Sequence, residues 1–220
     1  MSTKKRLVEG DIFYIERNEK FIFGRILLDV NTRILKKEPE HRYKFFSGCY
    51  MAEVYKGIYD TPELTTREVI IPGQFTSKST FYSKNKYKIQ WVFYKHEPID
   101  YTKLDFPETI RGWKKGAVLE KFDLELPTKI ASFEEREEKF GKRFTGSIYP
   151  SYRTLVNNAF HFQGRDDLMS IKIVVFMDGD DLRLAPKERA DIYKQINEPY
   201  NISYYDLALK HGYDIARFYE

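Results

Sequence analysis

The sequence predicts an α+β fold: a strongly coiled antiparallel β-sheet or small barrel over residues 1–128, followed by a mainly helical part with one strand over residues 129–220, packed on it. Three observations predict this. Runs rich in β-branched and aromatic residues, separated by Gly, Pro and charged clusters, fill the first 128 positions. Immediately after Pro127 the pattern changes to helix caps followed by apolar residues at helical spacing. The chain has 220 residues, 42% of them hydrophobic, with 17 Phe, 17 Tyr and 2 Trp, which is ample for a buried core and unlike a disordered chain.

Asp11 to Ile15 and Phe21 to Val30 read as two antiparallel strands, joined by the polar segment Glu16 to Lys20. Gly24 inside the second run marks a bulge or bend that would let the ribbon coil. Further strand-like runs lie at Tyr43 to Tyr59, Glu68 to Ile71, Lys88 to Tyr94 and Phe122 to Leu126. Ile89 to Tyr94 is almost wholly apolar, as a central strand covered on both faces would be. Lys95 to Leu119 contains Pro98, Pro107, Gly112 and many charges, and reads as irregular surface chain.

Ser132 and Glu135 form a capping box for a helix over Phe133 to Phe140, with Gly141 as its left-handed stop. Tyr152, Leu155, Val156, Ala159 and Phe160 form one stripe of a helix over Ser151 to Phe162, with Arg153, Asn157 and Asn158 opposite. Ile171 to Met177 reads as a strand that ends in an Asp178-Gly179-Asp180-Asp181 turn. A third helix begins at Pro186 and runs to about Asn197. A fourth follows Ser203, whose partner three residues on is Asp206, and stops at Gly212 before a resumption through Ile215, Phe218 and Tyr219.

The composition excludes several classes of function. One cysteine, Cys49, allows neither an intrachain disulfide framework nor a multi-thiolate zinc site, and suits a reducing compartment. Glu9, Gly10 and Asp11 interrupt the basic start before an apolar stretch of leader length forms, and the longest apolar run is far short of a membrane span. A soluble cytoplasmic protein with no membrane partner is expected. The net charge of +4 divides into +5 over residues 1–128 and −1 over the remainder. Lys84 to Lys88 is the densest basic run, and reads as a solvated loop or edge strand. A nucleic-acid partner is therefore disfavoured, although aromatic residues on a small barrel keep a nucleic-acid-binding β-barrel module as the first alternative.

His41, His96, His161 and His211 lie far apart and form no metal-binding spacing. Asp178, Asp180 and Asp181 follow a strand, and a metal-dependent hydrolase built on them is the second alternative. The same residues are what a tight turn selects. Cys49 lies in an apolar setting where a thiol acts as a small hydrophobe. The chain has no nucleophile elbow and no phosphate-cradling glycine motif, so the residues point to a non-enzyme with no cofactor, metal or catalytic residue.

Gly10-Asp11-Ile12-Phe13-Tyr14-Ile15 followed by Phe21-Ile22-Phe23-Gly24-Arg25-Ile26-Leu27 resembles the opening of the immunity protein 26 family of bacterial polymorphic-toxin systems. The segment Trp91 to Ile99 is similar to that family's strand entering a Pro-containing turn, and Phe106-Pro107 fits less tightly. The resemblance covers roughly residues 5 to 127. It implies a cytoplasmic immunity protein that binds a cognate toxin and neutralises it stoichiometrically, and it supplies no catalytic or cofactor residues. Inhibitors of cationic nucleases are often acidic, whereas this chain is basic. Either the toxin is not a cationic nuclease or the contact surface is locally acidic, and Asp166, Asp167, Asp178, Asp180 and Asp181 are the residues expected there.

Overall fold

A computed structural model describes residues 6–78, 91–113, 115–145, 152–169 and 179–220. In chain order its elements are β1 (Asp11–Arg17), β2 (Lys20–Asp29), β3 (Cys49–Tyr55), β4 (Val69–Ser77), β5 (Trp91–His96), β6 (Glu108–Trp113), β7 (Gly116–Lys121), β8 (Leu124–Pro127), α1 (Phe133–Phe140), α2 (Tyr152–His161), α3 (Pro186–Gln195) and α4 (Tyr204–Lys210). Two compact units divide the chain: Met1–Asp100 with Tyr149–Val175, and Tyr101–Ile148 with Phe176–Glu220. The predicted α+β class is observed, as a five-stranded antiparallel sheet, a three-stranded sheet and then a mainly helical part.

The first unit holds the five strands in the order β4-β3-β2-β1-β5. The predicted β1–β2 hairpin forms with Arg17 opposite Lys20. Its two turn residues, Asn18 and Glu19, both have positive φ, which matches the right-handed twist of the strands they join. β2 is the central strand, and Ile22, Phe23, Ile26 and Leu28 are fully buried. The role of a strand covered on both faces therefore falls to β2 and not to β5. Among the described residues β5 pairs only with β1, and its Val92 and Tyr94 are each 36% exposed. The apolar character of β5 is that of an edge strand whose Trp91 alone turns fully inward.

Among the described residues neither sheet is closed or strongly curled, so the expected barrel does not form. Gly24 serves a close approach instead of a bend. A methyl group there would lie 2.4 Å from the Glu53 carbonyl oxygen and 2.5 Å from Cζ of Phe13. The register shifts fall elsewhere, between Ile12 and Phe13, between Ile26 and Leu28, and along β3. α2 packs against β3 and β4 with Leu155, Val156, Ala159 and Phe160 buried, as predicted. Asn157 and Asn158, expected on the outer face, are also buried, so this helix is covered on more than its apolar stripe.

The second unit holds the sheet β6-β7-β8 with α1, α3 and α4. β6 and most of β7 lie where irregular chain was expected, because Glu108, Thr109, Arg111 and Gly112 make the segment look solvated. Tertiary pairing reverses that reading: Glu108 is fully buried and Ile110 with it. The β7–β8 turn places Phe122 at φ 51°, a strained value for a bulky residue. Packing holds it there, with its ring stacked on Phe106 at 4.1 Å and edge-on to Tyr204 and Phe218. Asp123 beside it accepts hydrogen bonds from the Tyr204 hydroxyl and the Arg217 guanidinium.

The helix ends follow local chemistry. Ser132 Oγ accepts from the Glu135 amide, and the Glu135 carboxylate reaches back to the Ala131 amide, one residue before the expected one. Gly141 closes α1 at φ 57°. Arg136, 1% exposed, turns inward and donates to the carbonyls of Ile110, Gly141 and Arg143. α3 starts with Pro186 in its first turn, and Ser203 caps α4 through the Asp206 amide. The strand expected at Ile171 to Met177 lies outside the described residues. No helix among the described residues is long and apolar enough to cross a membrane.

Candidate functional site

The segments that carry the family resemblance, about 70 residues apart in sequence, meet on β1, β2 and β5. Gly10 takes φ 89°, and a methyl group there would lie 2.5 Å from the Glu97 carbonyl oxygen. Its amide donates to Ile26 O and its carbonyl accepts from the Glu97 amide. Asp11 is fully buried, with Oδ1 2.8 Å from His96 Nδ1 and Oδ2 accepting from the Val8 amide at 2.9 Å. Arg25 donates to the carbonyls of Glu97 and Pro98 at 2.9 and 2.8 Å. Phe13 meets Trp91 edge-on, with centroids 4.5 Å apart.

Each member of this cluster therefore has a positional reason. Glycine is needed where backbone meets backbone, Asp11 and Arg25 tie the backbone and side chains of the neighbouring segments together, and the aromatics fill the remaining volume. On the outer side Arg67 forks onto the Glu97 carboxylate at 2.6 and 2.7 Å. A hydrogen bond from Lys95, with Arg67 beside it, holds that carboxyl below its ordinary range. In β3 the opposite holds: burial raises the Glu53 carboxyl against the lowering effects of Tyr55 and Arg25.

The second unit contains a network of charges whose members are largely buried except Asp105, whose side chain is 42% exposed. Lys121 Nζ lies 2.7 Å from Glu108 Oε1 and 2.6 Å from Asp105 Oδ1. Arg189 forks onto Glu108 at 2.8 Å twice, and the Tyr193 hydroxyl donates to the same carboxylate at 2.7 Å. Arg183 joins Asp105 at 3.2 Å and Asp181 at 2.7 Å. Three carboxylates thus face three cations. Burial alone would raise Glu108 and Asp105 and lower Lys121, but the opposite charges outweigh it. Both carboxyls are held below their ordinary range and the ammonium above its own. None of the three is poised to exchange a proton near neutrality, which general acid–base chemistry requires.

A cleft of roughly 240 Å³ borders this network, lined in part by Lys103, Asp105, Arg189, Asn201, Ser203 and Tyr204. Arg189 is engaged by Glu108 and Ser203 by the α4 cap, so these two polar groups of its wall are committed to the fold. Among the described residues no three His, Cys, Asp or Glu side chains are grouped to hold a metal ion.

The acidic residues expected at a partner surface are distributed between the units. Asp166 and Asp167 lie in a short 3₁₀ turn of the first unit, both with side chains 61% exposed. Asp166 Oδ1 is 2.7 Å from His161 Nδ1, and Arg165 forks onto Asp167. Asp180 and Asp181 belong to the second unit. Asp181 is only 2% exposed, caps the turn Leu182–Leu184 and is held by Arg183, while Asp180 is half-buried. Asp178 lies outside the described residues.

A surface that sequence reasoning passed over is the connection between β2 and β3. The sequence places Tyr43 to Phe46 at the start of the strand-like run Tyr43 to Tyr59. They form a 3₁₀ turn instead, with Phe45 68% exposed at its tip. Ser47-Gly48, with Gly48 at φ 78°, was the available signal that the strand begins only at Cys49. Comparison of the chain with protein-family models, curated proteins and solved structures finds no match.

Proposed function

We propose that this chain is an immunity protein, acting in the cytoplasm of the producing cell, that binds a cognate toxin domain and neutralises it stoichiometrically, without turnover. The observation that carries the reading is the interlocking of the family-like segments. Gly10, Asp11, Phe13, Gly24 and Arg25 contact one another or the Trp91 to Pro98 segment, so the likeness comprises one connected set of fold-defining residues. Contact between β1 and β2 follows from their hairpin, and the added support is that the third segment, Trp91 to His96, pairs with β1 as well.

Co-expression with the product of the adjacent gene tests the proposal. The expected result is that the neighbour alone arrests growth, that this chain restores it, and that the two co-purify at equal stoichiometry. A neighbour that is neither toxic nor bound overturns it.

A further inference from the structure

Residues 30–48, between β2 and β3, form a folded platform that positions one aromatic side chain outward. Asn31 closes its neck, accepting from the Gly48 amide at 2.6 Å and donating to Ser47 Oγ at 3.3 Å. Asp29 Oδ1 accepts from the amides of Asn31 and Thr32, and Arg33 forks onto Glu9. Ile34 and Tyr43 are buried beneath it. Three rings then lead outward: Phe46 stacks on Phe75 at 4.3 Å, and Phe45 meets Phe46 edge-on at 5.6 Å. Phe45, the last of them, is 68% exposed.

A single exposed hydrophobic residue is ordinary on a protein surface. Phe45 differs in resting edge-on against Phe46, itself stacked on Phe75, on a loop whose backbone is closed by Asn31, so less of its surroundings must be ordered when it is covered. The same loop exposes Lys36, Lys37, Arg42 and Lys44, against exposed Glu40, which Lys44 engages at 2.9 Å. A preorganised aromatic anchor with a charged rim is the anatomy of a binding hot spot. The surplus of positive charge selects an acidic partner and steers its approach.

Nucleic acid fits this surface less well. A strand-tracking site needs several cations on successive phosphates and more than one stacking ring. Here Arg33 and Lys44 are committed to carboxylates, and Glu40 would face the phosphates. We infer that residues 36–45 are the toxin-contacting surface, with Phe45 inserted in an apolar pocket of the toxin and Lys36 and Lys37 facing an acidic rim around it. This rests on the immunity role proposed above. It places the contact on a basic surface and not on the acidic residues that inhibitors of cationic nucleases would use, which accords with a toxin that is not a cationic nuclease.

The test measures binding of the full chain to the product of the adjacent gene, beside growth rescue in co-expression. Phe45→Asp and the milder Phe45→Ser should weaken binding about 30-fold or more, as hot-spot truncations do, with the circular-dichroism melt unchanged because the side chain is exposed. Lys36→Glu with Lys37→Glu should slow association and flatten its salt dependence. Wild-type-like binding by both folded Phe45 variants overturns the surface assignment and leaves the immunity role standing. Loss of binding in Asp166→Lys with Asp167→Lys, but not in Phe45→Asp, moves the surface to that turn and also overturns it. Binding of an oligo(dT) probe that is lost in Phe45→Asp would assign the platform to nucleic acid and overturn the protein partner. If wild-type chain neither binds nor rescues, both proposals fall together.

Discussion

In the unit built on the five-stranded sheet, the side chains withdrawn from water include Ile12, Phe13, Ile22, Phe23, Ile26, Met51, Val54 and Phe75, and Asp11 is the one buried ionisable acid or base among its described residues apart from Cys49 and tyrosines. In the unit built on the three-stranded sheet, Phe106, Phe122, Phe144 and Phe218 share the interior with Glu108, Lys121, Arg136 and Asp181. Apolar burial contributes roughly in proportion to area, at about 25 cal/mol per Å², and loses stability in increments when a group is trimmed. Desolvated charges behave differently. Their hydration is recovered only if every partner is present, so one missing member leaves the others uncompensated. The first interior tolerates small losses of area and resists added volume, whereas the second resists changes of charge.

The largest expected effect follows from removing the hub of the network. Glu108→Ala leaves Lys121, Arg189 and the Tyr193 hydroxyl facing one another without their shared carboxylate, and should cost about 3–5 kcal/mol. Urea denaturation measures the loss, and hydrogen exchange should localise it to β6, β7 and α3. A loss under about 1 kcal/mol, within the range of a surface ion pair, would break the contrast between the units.

Gly24→Ala is the matching probe of the first unit. Its methyl group would collide with a backbone carbonyl and with the Phe13 ring, so the surrounding structure must shift to admit it. Overpacking of this kind costs about 1–3 kcal/mol, and the exchange it provokes should be confined to β1, β2 and β3. Neutral behaviour would show that the sheet can spread at this point and that the interior is less rigid than its contacts imply.

Acid gives the mildest and most direct comparison. Glu108 and Asp105 have folded-state values below their ordinary ones, so their contribution is fully present above about pH 4.3 and 3.9 respectively and declines as pH falls towards the folded values. In the first unit Glu53 has the opposite sign, because its raised value makes the ionised form the costly one, and acidification relieves that cost. The other lowered carboxylates there, Asp60, Glu97 and Asp167, lie at the surface and contribute little. Segment-resolved hydrogen exchange between pH 7 and 3.5 should show β6 to β8 and α3 loosening before β1 to β3. The reverse order would break the contrast between the units.

Local signals proved readable wherever the deciding residues are neighbours in the chain. The polar Glu16 to Lys20 segment became a two-residue turn, Ser132, Gly141, Pro186 and Ser203 set helix ends, and Leu155, Val156, Ala159 and Phe160 gave the buried face of α2. Reading failed where the deciding partner is remote. β6 looked solvated because Glu108 carries a charge, and its partners Lys121, Arg189 and Tyr193 lie 13, 81 and 85 residues away. β5 looked central because it is apolar, whereas strand order, a property of the whole sheet, put β2 in the middle. The aromatic run from Tyr43 concealed a turn that His41 caps, its Nδ1 accepting from the Tyr43 amide, and that Asn31 closes on Gly48.

Short-range chemistry is therefore written in the residues themselves: the α+β class, the first hairpin and the helix caps. Those features depend on backbone sterics and on hydrogen bonds within a few positions. The open sheet, the position of β5, the neutral network around Glu108 and the exposure of Phe45 were decided by the assembled structure. Each depends on which distant group removes water from a side chain, and a charge or a ring has a different free energy in water than beside its partner.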